Sequence, residues 1–279
     1  NEVRPGLTVK NQTFYDVMDH TKYSTYGFAA DYQPWVIENK TTMDAKLERS
    51  AFVLQNTAGF AYRYSGVTAG ESRGRGYQVI DRRDISIGAL PNDRFQGPFN
   101  SNNQVTYNYY QDGTYGDSGV FLLSSLDVKK KLNLLGGVRL DRYTPNFNGR
   151  FDGEPMARSK NSNTAATYNA SATFNVGKVL FPYFTYATST YLELGQGSEL
   201  DQAMVANGTY LQDSNLYEGG VKFNGLEGKV FTSAALFQQK RTAVNKESGD
   251  IDFFRTKGLE TEARVAVHRR LSFTGAYTW

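Results

Sequence analysis

Histidine and cysteine, which supply many metal ligands and nucleophiles, are almost missing from this chain of 279 residues. His20 and His268 are its only histidines, and it contains no cysteine. No pair of histidines has the spacing of a zinc hydrolase, and without cysteine there is no disulfide, thiol nucleophile or thiolate metal site. His268 stands beside Arg269 and Arg270, as expected of a solvated turn. We expect neither catalysis nor an intrinsic cofactor from these residues.

Two carboxylates at alternate positions form the best acid pair of the sequence. Glu260 and Glu262 precede Arg264 in a run with strand composition. Side chains two apart on a strand lie about 6.5 to 7 Å from each other, a distance compatible with acid–base work. Polar side chains also commonly line the inside of barrels, which is the better account. The chain is therefore expected not to be an enzyme.

The glycine-rich run 70–76 resembles a phosphate-binding loop only superficially. No Lys-Ser or Lys-Thr pair follows GESRGRG, so it is interpreted as a surface loop. Across residues 67–113, five arginines oppose five carboxylates, which argues against a general anion funnel. The hypothesis of a local positively charged patch is left open, and Arg73 and Arg75 are candidate ligand-binding residues. The net charge of +3 is mild, so no nucleic-acid partner is expected.

Aromatic residues in the same interval provide the strongest case for ligand binding. Tyr107, Tyr109, Tyr110 and Tyr115 follow an asparagine-rich stretch, and flat rings with amides suit a ligand that has apolar and carbonyl groups. The alternative is a belt of aromatics at a membrane surface. We predict ligand contact for Tyr107, Tyr109 and Tyr110, and a belt position for Tyr115. Belt positions are also predicted for Trp35, Tyr62, Tyr64, Tyr277 and Trp279.

The elements that would position these residues are strands with one uncharged face. In residues 216–224, Tyr217, Val221 and Phe223 alternate with Glu218 and Lys222. Residues 132–143, 257–267 and 271–279 repeat this design. No run of about 18 apolar residues occurs, which excludes a helical membrane span. A transmembrane barrel can nevertheless be hydrophilic on average, as the mean hydropathy of −0.53 is here.

About twelve strands are predicted, joined alternately by short turns and long loops. Their ranges are 6–15, 21–33, 36–48, 53–66, 114–128, 131–143, 165–175, 179–190, 214–223, 229–241, 254–267 and 271–279. The short joins are 129–131, 175–178, 224–228 and 268–270, and the longest intervals are 67–113, 144–164 and 191–213. This asymmetry predicts an all-β, antiparallel, up-and-down transmembrane β-barrel whose long loops are extracellular.

Four ordered motifs resemble the TonB-dependent outer-membrane receptors of the ferric-siderophore type, in particular ferric hydroxamate receptors. They are GVFLLSSLDV with KKKLNLLGGVRLDRY, then FPYFTYATST, then the Y-E-x-G-x-K pattern of Tyr217 to Lys222, then the G-x-E strand within 257–262. Ser124 and Ser125 replace the usual Gln-Asp, and Lys257 replaces an arginine. The resemblance is specific from Gly119 to Trp279 and general before it.

The resemblance implies that residues 1–279 are one partial barrel domain. Such receptors have barrels of about 22 strands around a plug, so the chain would lack the plug and the C-terminal strands. It also implies a multi-pass outer-membrane location among lipid and lipopolysaccharide. The transported ligand would be a ferric siderophore, and the TonB-ExbB-ExbD system would supply energy through the missing N-terminal region. Haem, cobalamin or a glycan stays open as the ligand.

The alternative hypothesis is a self-contained barrel of about twelve strands that acts as a passive pore or an adhesin. Such a barrel would need neither a plug nor an energy source.

Overall fold

The computed structural model describes residues 2–22, 30–72, 107–244 and 251–279, and most of these form strands. The strands are β1 (Glu2–Arg4), β2 (Leu7–Val17), β3 (His20–Lys22), β4 (Ala30–Glu48), β5 (Phe52–Glu71), β6 (Tyr109–Val128), β7 (Leu132–Phe151), β8 (Ala157–Lys160), β9 (Asn163–Phe174), β10 (Leu180–Leu192), β11 (Leu211–Gly225), β12 (Val230–Val244), β13 (Ile251–His268) and β14 (Leu271–Thr278). One helix, α1 (Gln202–Asn207), lies between β10 and β11. The predicted all-β class is confirmed.

All fourteen strands of the described ranges belong to one antiparallel sheet. Twelve follow one another from β1 to β14, while β3 pairs with β4 and β8 with β7 outside this path. Every neighbouring pair is antiparallel, as in an up-and-down barrel, and in the described residues β1 and β14 do not pair to close it. The structure is therefore a stretch of barrel wall.

The continuous register divides the side chains of the sheet between two faces. Arg139 and Asp141 of β7 lie on the same face as Asp117 of β6, because Tyr143 pairs with Asp117 and Asp141 with Gly119. We call this the charged face. On the opposite, apolar face, Val138 pairs with Leu122 and Leu140 with Val120, and these four side chains are 45% to 53% exposed. The alternation predicted for 132–143 is confirmed.

Short turns lie at one end of the sheet, which we call the short-turn end. β6 and β7 are joined there by residues 129–131, where Lys129 and Lys130 have φ values of 51° and 56°. Two consecutive positive φ values match the right-handed twist of the paired strands. A short 3-10 helix, Leu226–Gly228, joins β11 to β12 at the same end. The opposite end, the long-loop end, carries the longer connections.

Strands at the long-loop end extend well beyond their predicted limits. β5 continues to Glu71 and β6 begins at Tyr109, so the predicted 67–113 loop contains paired strand at both ends. Likewise β7 continues to Phe151 and β8 occupies Ala157–Lys160, inside the predicted 144–164 interval. In this region the strands continue to pair, but neither face of the sheet is uniformly apolar. The alternation of apolar and polar residues that predicts a strand is therefore absent from the sequence here.

The predicted break between strands 21–33 and 36–48 is also wrong, because β4 runs through Pro34. The carbonyl of Pro34 accepts the Met18 N–H, so the backbone nitrogen of Pro34 faces the gap between β2 and β3. Proline is tolerated where no ladder donor is required.

Helix α1 has only six residues, and no helix of the described ranges is long and apolar enough to cross a bilayer. Asp201 caps its N-terminus by accepting the Met204 N–H, and Gly208 ends it with a φ of 73°. The helix lies inside the 191–213 interval, which sequence analysis predicted as a loop without a helix. At six residues it is too short for a recognisable 3.6-residue period.

Candidate ligand-facing site

The connection between β10 and β11 folds back over the charged face at the long-loop end. We call residues 193–210 the folded segment. The Gln111 side chain of β6 donates to the Leu200 carbonyl at 2.7 Å and accepts the Leu200 N–H at 2.8 Å. Because Gln111 is only 2% exposed, its amide would be costly to leave unpaired. This double hydrogen bond fixes the middle of the folded segment to the wall.

Two apolar clusters hold the folded segment on the same face. In the first, Leu200 and Val205 pack with Tyr109 and Phe147, and all four are at most 5% exposed. In the second, Met204 and Tyr210 pack against Tyr143 of β7. Burial raises the pKa of Tyr210 above its usual range. The segment therefore has a core of its own, which most surface loops lack.

The tip of the folded segment reaches across to β3 and β4. A Cβ atom added to Gly197 would lie 2.1 Å from Cδ1 of Tyr32, so the backbone of Gly197 rests against that ring. Tyr32 itself is 1% exposed, beside Val67 and Ala69. Lys22 donates to the Gln196 side chain at 2.9 Å. The folded segment thus bridges strands that are far apart in the sheet.

The structure brings the predicted ligand-binding tyrosines close together but in different settings. Tyr107 donates to the Asp31 carboxylate, and the Tyr110 hydroxyl donates to the Tyr107 carbonyl at 2.9 Å. Tyr110 is 38% exposed, whereas Tyr109 is 5% exposed under the folded segment. Tyr109 and Tyr110 lie in β6 rather than in a loop. Arg73 and Arg75 lie outside the described residues.

The belt prediction fails for Tyr115. Its register partner is Pro145, which places Tyr115 on the charged face with Asp117, away from an outward-facing belt. It lines a cavity there together with Arg63 and Ser198. Trp35 and Tyr64 do share the apolar face, where their rings meet edge-on with centroids 5.4 Å apart.

Below the folded segment, the charged face carries one ion pair within β7 and one between β5 and β4. Arg139 contacts Asp141 at 2.5 Å, and Arg63 contacts Glu38 at 3.0 Å. The Arg139 guanidinium also stands 5.8 Å from the Phe121 ring. Glu260 and Glu262 occupy this face of β13, as predicted. Within the described ranges, no three acidic or histidine side chains are grouped to hold a metal ion.

The folded segment and its anchor Gln111 were missed by sequence analysis. Gln111 is one residue in a polar run, and its partner Leu200 is 89 positions away. The only local signals were the Asp201 cap and Gly208, which together mark a short helix. The arrangement provides a surface with buried polar anchors, clefts and aromatic walls, suited to binding a molecule at the long-loop end.

The fold and the comparison with known families agree. Residues 3–279 match the family described as TonB dependent receptor-like, beta-barrel, and the chain belongs to this family. Barrels of this family are outer-membrane proteins. A search of curated proteins gave no match to the sequence.

Solved structures share the fold at low sequence identity. The siderophore receptor PiuA from Acinetobacter baumannii superposes with a TM-score of 0.77 at 16% identity, covering 99% of this chain and 44% of that one. The ferric citrate transporter FecA gives 0.71 at 13% identity, covering 99% and 41%. The ferric-catecholate import receptor Fiu from E. coli K12 gives 0.67 at 15%, covering 99% and 45%. The chain thus spans less than half the length of these receptors.

Proposed function

We propose that this chain is part of the wall of an outer-membrane receptor that takes up ferric siderophores with energy from the TonB system. The observation that carries the proposal is the family match over residues 3–279. The similar structures, which are a siderophore receptor, a ferric citrate transporter and a ferric-catecholate import receptor, support the choice of ligand. Lipid and lipopolysaccharide surround the apolar face, and a ferric siderophore enters from the long-loop end.

The described geometry favours this function over a passive pore or an adhesin. A pore of about twelve strands must close on itself, whereas the sheet formed by the described residues is open. The folded segment also covers part of the charged face near the long-loop end, where a ligand would enter. Tyr107 and Tyr110, together with Arg73 and Arg75 outside the described residues, are proposed to contact the ligand. Tyr109 supports this surface from beneath.

Uptake of radioactive iron by cells that lack the full-length gene tests the proposal. We expect loss of uptake of one ferric siderophore and its return on complementation. Collapse of the proton-motive force should abolish the restored uptake, because the energy comes from the inner membrane. Unchanged uptake of every siderophore tested would refute the proposal. Uptake that survives loss of the proton-motive force would instead favour a passive pore.

A further inference from the structure

A cleft separates the folded segment from the hairpin formed by β7 and β8. Its volume is about 680 Å³, within the range of small-molecule sites. One wall is aromatic and consists of Tyr109, Phe147 and Phe151, and the other includes Leu194 and Leu200. The aromatic wall comes from β6 and β7 and the other from the folded segment, and Gln111 and the two apolar clusters hold the segment in place.

The polar lining of this cleft is strongly acidic. Glu154, Glu193, Glu199 and Asp201 line it, and Arg150 is its only cationic side chain among the residues that the structure describes. Four carboxylates therefore face one guanidinium. This balance opposes an anionic ligand and attracts a cationic one.

Glu199 makes the cleft more than a group of surface acids. It is 6% exposed, and its carboxylate accepts one hydrogen bond, from the Gly197 N–H. Gly195 packs so closely that an added Cβ would lie 2.7 Å from a carboxylate oxygen. In the described part of the chain, no lysine or arginine pairs with Glu199. A buried carboxylate with one neutral donor lacks the compensation that buried charges usually have.

We propose that this cleft binds a primary ammonium group carried on a short apolar arm. The ammonium would donate to Glu199 while the arm lies along Phe151 and Leu194, apolar lining residues that keep exposed surface. A divalent metal ion is a poorer fit. Calcium takes about six to eight oxygen ligands, and among the described residues no three acidic or histidine side chains lie close enough together to hold an ion. This inference rests on the proposed function and narrows its ligand class to chelates that have a free ammonium group.

Two matched probes test the cleft without knowledge of the chelate. Phenethylammonium and 2-phenylethanol have the same aromatic arm and differ in the group that would meet Glu199. Full-length receptor in lipid nanodiscs would be titrated with each probe and followed by saturation-transfer NMR. A hydrogen bond to a charged group contributes about 1.5 to 3 kcal/mol, so the ammonium probe should bind about tenfold or more tightly.

Glu199→Gln removes the charge and keeps an oxygen that can accept the Gly197 N–H. We expect this variant to bind both probes about equally. Glu227→Gln changes an exposed glutamate at the short-turn end and should keep the preference. A preference that persists in Glu199→Gln, or wild-type receptor that binds both probes equally or neither, would overturn the inference.

The probe-binding test and the uptake test can fail independently of each other. Siderophore uptake with no ammonium preference would refute the cleft assignment alone. A clear preference in a receptor that imports no siderophore would refute the transport proposal alone. Cooperative unfolding of Glu199→Gln, compared with wild type, shows whether the variant has kept the fold on which the comparison depends.

Discussion

The side-chain amides of Asn11 and Asn39 donate to each other across β2 and β4, at 3.0 and 3.1 Å. Asn11 also donates to Thr41 at 2.7 Å, and Asn39 donates to Thr13 at 2.9 Å. The register places all four on the apolar face, because Asn39 pairs with Tyr62. A polar group on a lipid-facing surface must find its partners within the protein. The two asparagine side chains therefore find their hydrogen-bond partners within this cluster.

Asn11→Val should destabilise the barrel because it removes three hydrogen bonds and leaves the Asn39 amide short of a partner. An unsatisfied buried polar group costs about 1 to 3 kcal/mol. The double variant Asn11→Val, Asn39→Val should cost less than the sum of the single variants, since no amide is left unpaired. Urea unfolding of the full-length receptor in lipid vesicles measures both. Strictly additive losses would contradict the coupling.

The architecture was predictable where one face must be apolar. Alternation in 132–143 predicted the two faces of β7, and the short turns followed from the close spacing of the strands. Beyond the apolar band the pattern disappeared, so the ends of β5 and β7 were placed too early and the start of β6 too late. Tyr109 and Tyr110 were therefore assigned to a loop that is paired strand.

The folded segment was beyond sequence reasoning for a different reason. Its position depends on contacts such as Gln111 with Leu200, which join residues 89 positions apart. Tyr115 illustrates the same limit. A tyrosine suits a membrane belt, but the register places this one on the charged face. Residue type indicates which environments suit a side chain, whereas the strand register determines the face of the sheet on which it lies.

Gln111→Leu should loosen the folded segment without unfolding the sheet. It removes two hydrogen bonds to the Leu200 backbone, each with a net contribution of about 0.5 to 1.5 kcal/mol. Hydrogen–deuterium exchange across residues 198–206 should therefore accelerate about tenfold or more in this variant. Gln55→Leu, at an exposed position of β5 on the same face, is the matched control. Equal exchange in both variants would show that Gln111 is not the anchor.

Gly197→Ala should displace the tip of the folded segment. The new Cβ would lie 2.1 Å from Cδ1 of Tyr32, closer than any real contact, so the backbone must move. Overpacking of this kind costs about 1 to 3 kcal/mol. Limited proteolysis should cut within residues 193–210 faster than in wild type. Gly136→Ala has no atom within 4 Å of its Cβ and should behave as wild type.

Relief of this clash provides an internal check on the tip. Adding Tyr32→Ala to Gly197→Ala removes the ring that the new methyl group meets, although Tyr32→Ala alone forfeits packing with Val67 and Ala69. The cost of Gly197→Ala should thus be smaller in the Tyr32→Ala background than in wild type. An unchanged cost would place the tip elsewhere.

Leu122 and Leu123 are neighbours in β6 that face opposite ways. Leu122 pairs with Val138 on the apolar face, and Leu123 pairs with Gly137 on the charged face. They are similarly exposed, at 45% and 36%, so exposure alone predicts similar responses to a charge. If the apolar face contacts lipid, the two positions must respond differently.

Leu122→Arg should cost about 2 to 4 kcal/mol, the penalty of an arginine on the lipid face near the middle of the bilayer. Leu123→Arg should cost much less, because a charge there can be solvated beside Arg139 and Asp141 or paired with an acid. Urea unfolding of the full-length variants in lipid vesicles gives the two values. In detergent micelles, which let water closer to the surface, the difference should shrink. Equal costs in vesicles would mean that the apolar face does not meet lipid, and the outer-membrane assignment of the sheet's two faces would fail.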